Sequence, residues 1–87
     1  MKKILCFSAT WCGPCRTFAP IFEEVSKKYA TKFTFQKIDV DEDEQLCDKY
    51  KVQSIPTIIV VDGEKEILRK VGSFDSQGFQ NWLDSTN

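Results

Sequence analysis

Two short apolar runs, Ile4 to Ser8 and Ile58-Ile59-Val60-Val61, restrict this chain more than any other feature. Each is nearly continuous rather than alternating, the pattern of a central strand covered on both faces. A sheet with such strands needs helices on each side. The first helix follows at once. Phe18, Ile21, Phe22, Val25 and Tyr29 recur at helical spacing, with Arg16, Glu23, Glu24, Lys27 and Lys28 largely opposite them. Pro20 lies inside it, so the bond back to the Arg16 carbonyl is lost and a kink is expected. Phe33 to Val40 reads as the next strand, and a helix between two strands implies a right-handed parallel βαβ unit.

Asp41 or Asp43 can cap a short helix carrying Leu46, Cys47 and Tyr50. After the Ile58–Val61 run, Asp62-Gly63 is the strongest hairpin signal in the chain. It leads to Glu66–Val71, whose Arg69 and Lys70 suit an edge strand, and Gly72 ends that strand. Asp75 or Ser76 caps a last helix burying Phe79, Trp82 and Leu83. The expectation is an α/β fold of order βαβαββα. Its four-stranded mixed sheet has the spatial order 2-1-3-4, helices on both faces, and the last two strands antiparallel to the first two. Residues 1–87 are read as one domain, since 87 residues make one small core.

The chemistry concentrates in Trp11-Cys12-Gly13-Pro14-Cys15, where the first apolar run stops and the first helix begins. Pro14 suits the opening turn, where its missing N–H is not needed. Both sulfurs would then stand at a helix N-terminus, facing unpaired N–H groups and the positive end of the helix dipole. A thiol there ionises more readily than at the free value of about 8.5, and the thiolate is the reactive form. Cys15, one turn further in and less exposed, can attack a mixed disulfide formed on Cys12. The pattern is that of a dithiol redox site.

Composition bears on which alternatives survive. A net charge of −1 provides no field for nucleic acid or an anionic membrane, so neither is expected as a partner. The opening Met1-Lys2-Lys3 with its apolar run faintly resembles a signal peptide but breaks at Ser8 and Thr10, too early for one. No run approaches the ~18 residues of a membrane span. The chain is expected to be soluble and cytoplasmic. Four cysteines could form a disulfide framework in a secreted miniprotein, but a C-x-x-C beside a βαβ pattern in a reducing compartment is a redox motif.

The motif W-C-G-P-C resembles the active site of the thioredoxin family, complete to the residue. Phe7-x-Ala9-x-Trp11, Pro20, Lys37-x-Asp39-x-Asp41, Tyr50, Ile55-Pro56-Thr57, Asp62-Gly63 and Gly72 fall at spacings similar to that family's, covering essentially the whole chain. The resemblance implies a thiol–disulfide oxidoreductase with a redox-active Cys12–Cys15 disulfide and no cofactor. Its partners would be disulfide-containing proteins and a thioredoxin-reductase-like or other electron donor, and the chain is expected to act as a monomer. There are departures. The strand and helix with which family members usually begin are absent, so the Phe33–Val40 strand is expected to be a free edge. Cys6 stands where the family has a buried aspartate thought to manage the resolving thiol's proton. Ser8 replaces the usual Trp.

Cys12 is the candidate nucleophile and Cys15 the candidate resolving thiol, against the plain reading of a structural disulfide or inert core thiols. Gly13 and Pro14 shape the loop, Pro14 stiffening it and withholding a donor. Trp11 is a candidate substrate contact that also shields the thiol, the alternative being a core aromatic. The resemblance implies a cis Ile55–Pro56 bond that sets the Ile55 backbone against Cys12, where an extended substrate can pair with it. The plain alternative is a strand-entry proline. Gly72 would allow close approach beside the same groove, or simply make a turn. Lys37 reads as a solvent-facing edge lysine, whereas the resemblance implies an inward one, desolvated and relaying the Cys15 proton. Cys6 and Cys47 read as core residues, with a regulatory disulfide between them, or glutathionylation, as the minority view.

Three other functions compete. A glutathione-fed, glutaredoxin-like enzyme would typically carry Pro-Tyr between its cysteines. A zinc site on Cys6, Cys12, Cys15 and Cys47 would lack the usual second knuckle, and the chain has no histidine. A non-catalytic thioredoxin-like binding partner is the third.

Overall fold

Strand β1 (Lys2–Ser8) alternates its side chains between two cores, and the sheet is assembled around it. Ile4 and Cys6 face one side, Leu5 and Phe7 the other, and all four are buried. In the computed structural model, which describes residues 1–86, six further elements follow. They are α1 (Gly13–Lys28), β2 (Phe33–Asp39), α2 (Glu44–Lys49), β3 (Thr57–Asp62), β4 (Lys65–Val71) and α3 (Ser76–Asp84). The sheet order is β2-β1-β3-β4. β1 pairs with β2 in parallel, with Cys6 opposite Lys37, and with β3 antiparallel, with Cys6 opposite Ile58.

Most expected elements are present, with corrected edges. β1 begins at Lys2 rather than Ile4, because the backbone of Lys2 and Lys3 still pairs with Phe33 and Thr34. β2 ends at Asp39. Asp43 caps α2, its side chain accepting the Leu46 N–H at 3.1 Å, and Asp75 caps α3, accepting the Gly78 N–H at 2.7 Å. α1 runs from Gly13 through Pro20 to Lys28 without interruption. One expectation was geometrically wrong. β3 is antiparallel to β1, but the Asp62-Gly63 hairpin reverses the chain again, so β4 points the same way as β1.

Two cores sandwich the sheet. α1 and α3 cover Ile4, Cys6, Phe33, Ile58 and Val60 with Phe18, Phe22, Val25, Phe79 and Leu83. The short α2 and the loops beside it cover Leu5, Phe7, Ile38, Ile59 and Val61 with Leu46, Tyr50, Val52 and Ile55. The first core is strongly aromatic. Phe79, fully buried, lies 5.2 Å from the Phe18 ring, 5.5 Å from Phe74 and 6.0 Å from Phe22. Such ring pairs add to the burial itself. β4 carries an irregularity in which Leu68 opposes Val60 and Glu66 opposes Val61, leaving Ile67 without a partner.

These positions should respond very differently to truncation. Phe79→Ala is expected to lower stability by ~3–5 kcal/mol, the range for a buried phenylalanine. Ile67→Ala, at a partly exposed edge residue, should change it by no more than ~0.5 kcal/mol. Denaturant midpoints at unchanged slope measure both.

Candidate active site

β1 hands the chain to α1 through Ala9–Cys12, and this short connection places the dithiol. The Cys12 N–H donates to the Ala9 carbonyl at 3.2 Å, and the Arg16 N–H donates to the Cys12 carbonyl at 3.1 Å. Cys12 is therefore the N-cap of α1, with extended backbone, and Pro14 lies in the first turn. A cysteine in that place does with sulfur what serine or aspartate does with oxygen. The Cys15 N–H donates to Cys12 Sγ at 3.3 Å. Cys12 and Cys15 form a disulfide, with Cα atoms 5.2 Å apart. Once that bond is reduced, the same amide and the end of a 16-residue helix favour negative charge on Cys12 sulfur.

Both cysteines are buried, at 6% and 5% exposure, so the expected difference in access between them is not present at residue level. Ala9 and the two cysteines form a small cluster closed by Val40 and Ile55. The Ile55–Pro56 bond is cis. The Ile55 carbonyl oxygen lies 4.0 Å from Cys12 Sγ, so the Ile55 backbone does stand against the leading cysteine. Neither its N–H nor its C=O takes a backbone partner among the described residues. Gly72 adjoins this segment, its N–H donating to the Pro56 carbonyl at 2.8 Å. Within the chain itself nothing crowds Gly72, where a Cβ would meet no atom within 4 Å. Its φ of +99° is what requires glycine, as in a turn.

Trp11 is 66% exposed and is no core residue. Its indole N–H donates to Asp41 Oδ2 at 2.8 Å, which fixes the ring beside the dithiol with an apolar face open to solvent. Val71, 56% exposed, presents a second apolar side chain next to Gly72, and sequence reasoning did not single it out.

Lys37 corrects one expectation and refines another. It is exposed, so it is not desolvated; an edge strand leaves a long side chain free to reach water. Yet it does border the site, lining a cavity of about 390 Å³ with Ser8, Ala9, Thr10, Cys15, Arg16, Ala19 and Asp39. Arg16 and Asp39 were not among the expected site residues. The signal was available for Asp39, since alternation on β2 sets Phe33, Phe35, Lys37 and Asp39 on one face.

The other two cysteines are separated by the sheet. Cys6 is buried in the core under α1, while Cys47 packs on the opposite core, half-buried rather than fully interior as expected. A disulfide between them is therefore excluded in this fold, and the four cysteines do not converge on one point. Among the described residues, no three of His, Cys, Asp and Glu gather to hold a metal. Burial pushes the Cys6 thiol up to about 12, although the positive charge of Lys37 pulls the other way. Cys47 is also raised, by burial first and then by the carboxylates of Asp43, Asp48, Glu44 and Asp41.

A raised thiol pKa means less thiolate at a given pH, so alkylation begins later as pH rises. With Cys12–Cys15 oxidised, iodoacetamide should label Cys47 slowly at neutral pH and faster only above the free-thiol value of about 8.5. Cys6 should remain unlabelled until the protein unfolds. Mass spectrometry of digests over a pH series measures both, and rapid neutral-pH labelling of Cys6 would contradict the burial assigned to it.

Comparison with known proteins sets this geometry in a family context. A family model described as Thioredoxin matches residues 1–85. The chain is 42% identical over 80 residues to a thioredoxin of Borreliella burgdorferi, covering 90% of this chain and 67% of that one. It is 40% identical over 82 residues to a thioredoxin of Staphylococcus epidermidis, covering 94% of this chain and 79% of that one. Against thioredoxin H2-2 of Oryza sativa it is 43% identical over 70 residues, 80% of this chain but only 52% of the rice protein. Among solved structures, the germline-specific thioredoxin Deadhead from Drosophila melanogaster superposes with a TM-score of 0.89 at 33% identity, covering 97% of this chain and 79% of that one.

Proposed function

This chain belongs to the thioredoxin family, whose activity is protein-disulfide oxidoreduction, and we propose that Cys12 attacks substrate disulfides while Cys15 resolves the product. The observation that carries this reading is the Cys15 amide aimed at Cys12 Sγ at 3.3 Å, with the two cysteines close enough to bond. One sulfur is favoured as an anion and the other lies within reach of the intermediate it forms.

In this reading the Cys12 thiolate attacks a disulfide sulfur of the substrate. A Cys12–substrate bond forms, and the displaced sulfur leaves with the electron pair. Cys15 then attacks Cys12 Sγ, which closes the Cys12–Cys15 disulfide and frees the second substrate sulfur. Gly13 and Pro14 hold the two sulfurs at the head of α1, Pro14 adding no donor of its own. The N–H and C=O of Ile55, which take no backbone partner among the described residues, suit pairing with an extended substrate segment, and Pro56 shapes that segment of the groove. Trp11 and Gly72 flank it, one with an apolar ring and the other with an open backbone. We assign recharging of the disulfide to a thioredoxin-reductase-like donor, and the working compartment to the cytoplasm, where thiols are kept reduced. No helix among the described residues is long and apolar enough to cross a membrane.

The test is reduction of insulin disulfides with different electron donors. Wild type should reduce insulin when coupled to a flavoprotein reductase, and poorly with glutathione alone. Cys12→Ser should abolish turnover entirely. Cys15→Ser should accumulate a mixed disulfide that gel electrophoresis under non-reducing conditions detects. Retained turnover by Cys12→Ser overturns the assignment, and efficient turnover with glutathione alone favours the glutaredoxin-like reading.

A further inference from the structure

The resolving step releases a proton, and the fold offers few places for it. Cys15 is 5% exposed, so its thiol does not meet bulk water freely. On β1 the one buried titratable group is Cys6, a thiol that burial holds protonated across the working pH range. On the other side lies the cavity of about 390 Å³, roomy enough for several waters. The titratable and charged groups on its wall are Cys15 and Arg16 from α1 and Lys37 and Asp39 from β2. Arg16 and Lys37 are cations with no proton to accept. Asp39 is the one carboxylate. Its Oδ1 accepts the Asp41 N–H at 2.9 Å, which orients the group, and Oδ2 has no hydrogen-bond donor among the described residues.

We propose that Asp39, acting through water in this cavity, accepts the proton of Cys15 as that residue attacks the Cys12–substrate mixed disulfide. The balance is simple. The Cys15 S–H bond breaks and its proton passes through water to the Asp39 carboxylate. The Cys15–Cys12 bond forms, the Cys12–substrate bond breaks, and the substrate sulfur leaves as a thiolate. The two protein thiols are oxidised and the substrate disulfide is reduced. The inference rests on the dithiol mechanism proposed above and deepens its second step.

A carboxylate is a weak base toward a thiol, so its contribution falls below the ~10²–10⁴ of a well-matched general base. The experiment is single-turnover release of substrate thiol from a mixed disulfide formed on Cys12, followed from about pH 6 to about pH 9. Wild type should show a nearly flat rate over the lower part of this range. Asp39→Asn keeps an oxygen for the Asp41 N–H and should resolve roughly tenfold more slowly near neutral pH. Its rate should climb about tenfold per pH unit and rejoin wild type at the alkaline end, where Cys15 ionises without help. Asp39→Glu should restore the flat profile. The first step separates mechanism from structure: in a Cys15→Ser background, Asp39→Asn should form the mixed disulfide at an unchanged rate. An Asp39→Asn profile parallel to wild type, or slowing of that first step, would overturn the inference. If wild type itself fails to reduce disulfides, the fault lies with the broader reading instead.

Discussion

A strand buried on both faces from Ile4 to Ser8 is the constraint on which this structure turns. β1 places Ile4 and Cys6 into one core and Leu5 and Phe7 into the other, and burial of that kind is worth on the order of 2 kcal/mol per large apolar side chain. Such a strand must have neighbours on both edges and layers above and below, and β2, β3 and three helices supply them. Its C-terminal end therefore emerges at a fixed point between two cores. Five residues later the chain is already helical. The sulfurs inherit their location from the least negotiable element of the fold.

That inheritance explains why the two sides of the dithiol differ in character. Toward Ile55 and Pro56 the surroundings are backbone and apolar side chains, an environment in which an extended chain can be matched amide to carbonyl. Toward β2 the wall is charged and wet, with Arg16, Lys37 and Asp39 around a cavity. The mechanism proposed above uses both surroundings: a dry, directional contact for the substrate sulfur, and a polar place for a proton. Cys12 lies against the Ile55 carbonyl and Cys15 borders the polar cavity.

Much of this could be read from residues alone, for identifiable reasons. Continuous apolar runs, helical spacing and Asp-Gly are local signals, and they defined the elements and their order. The Trp11–Cys15 motif located the dithiol because a proline-opened helix and its caps are also local. What escaped depended on three-dimensional placement. The direction of β4 depends on the number of chain reversals before it, which is a global property of the path. Lys37 looked like a choice between outside and inside, yet a long side chain on an edge strand can be solvated and still border a cavity. That Gly72 answers a backbone need is visible only in its positive φ, which no local signal carries. Cys47 seemed interior from its neighbour Leu46, but a six-residue helix covers too little surface to enclose it.

The register of the sheet mounts the two halves of the site on strands of unequal tenure. The sulfurs follow β1, gripped by β2 on one side and β3 on the other, whereas Lys37 and Asp39 ride on β2, which is gripped only by β1 among the described residues. Outer strands open at lower free energy than the middle of a sheet. The polar wall should therefore exchange its amide hydrogens at lower opening free energy than the strand that carries the sulfurs.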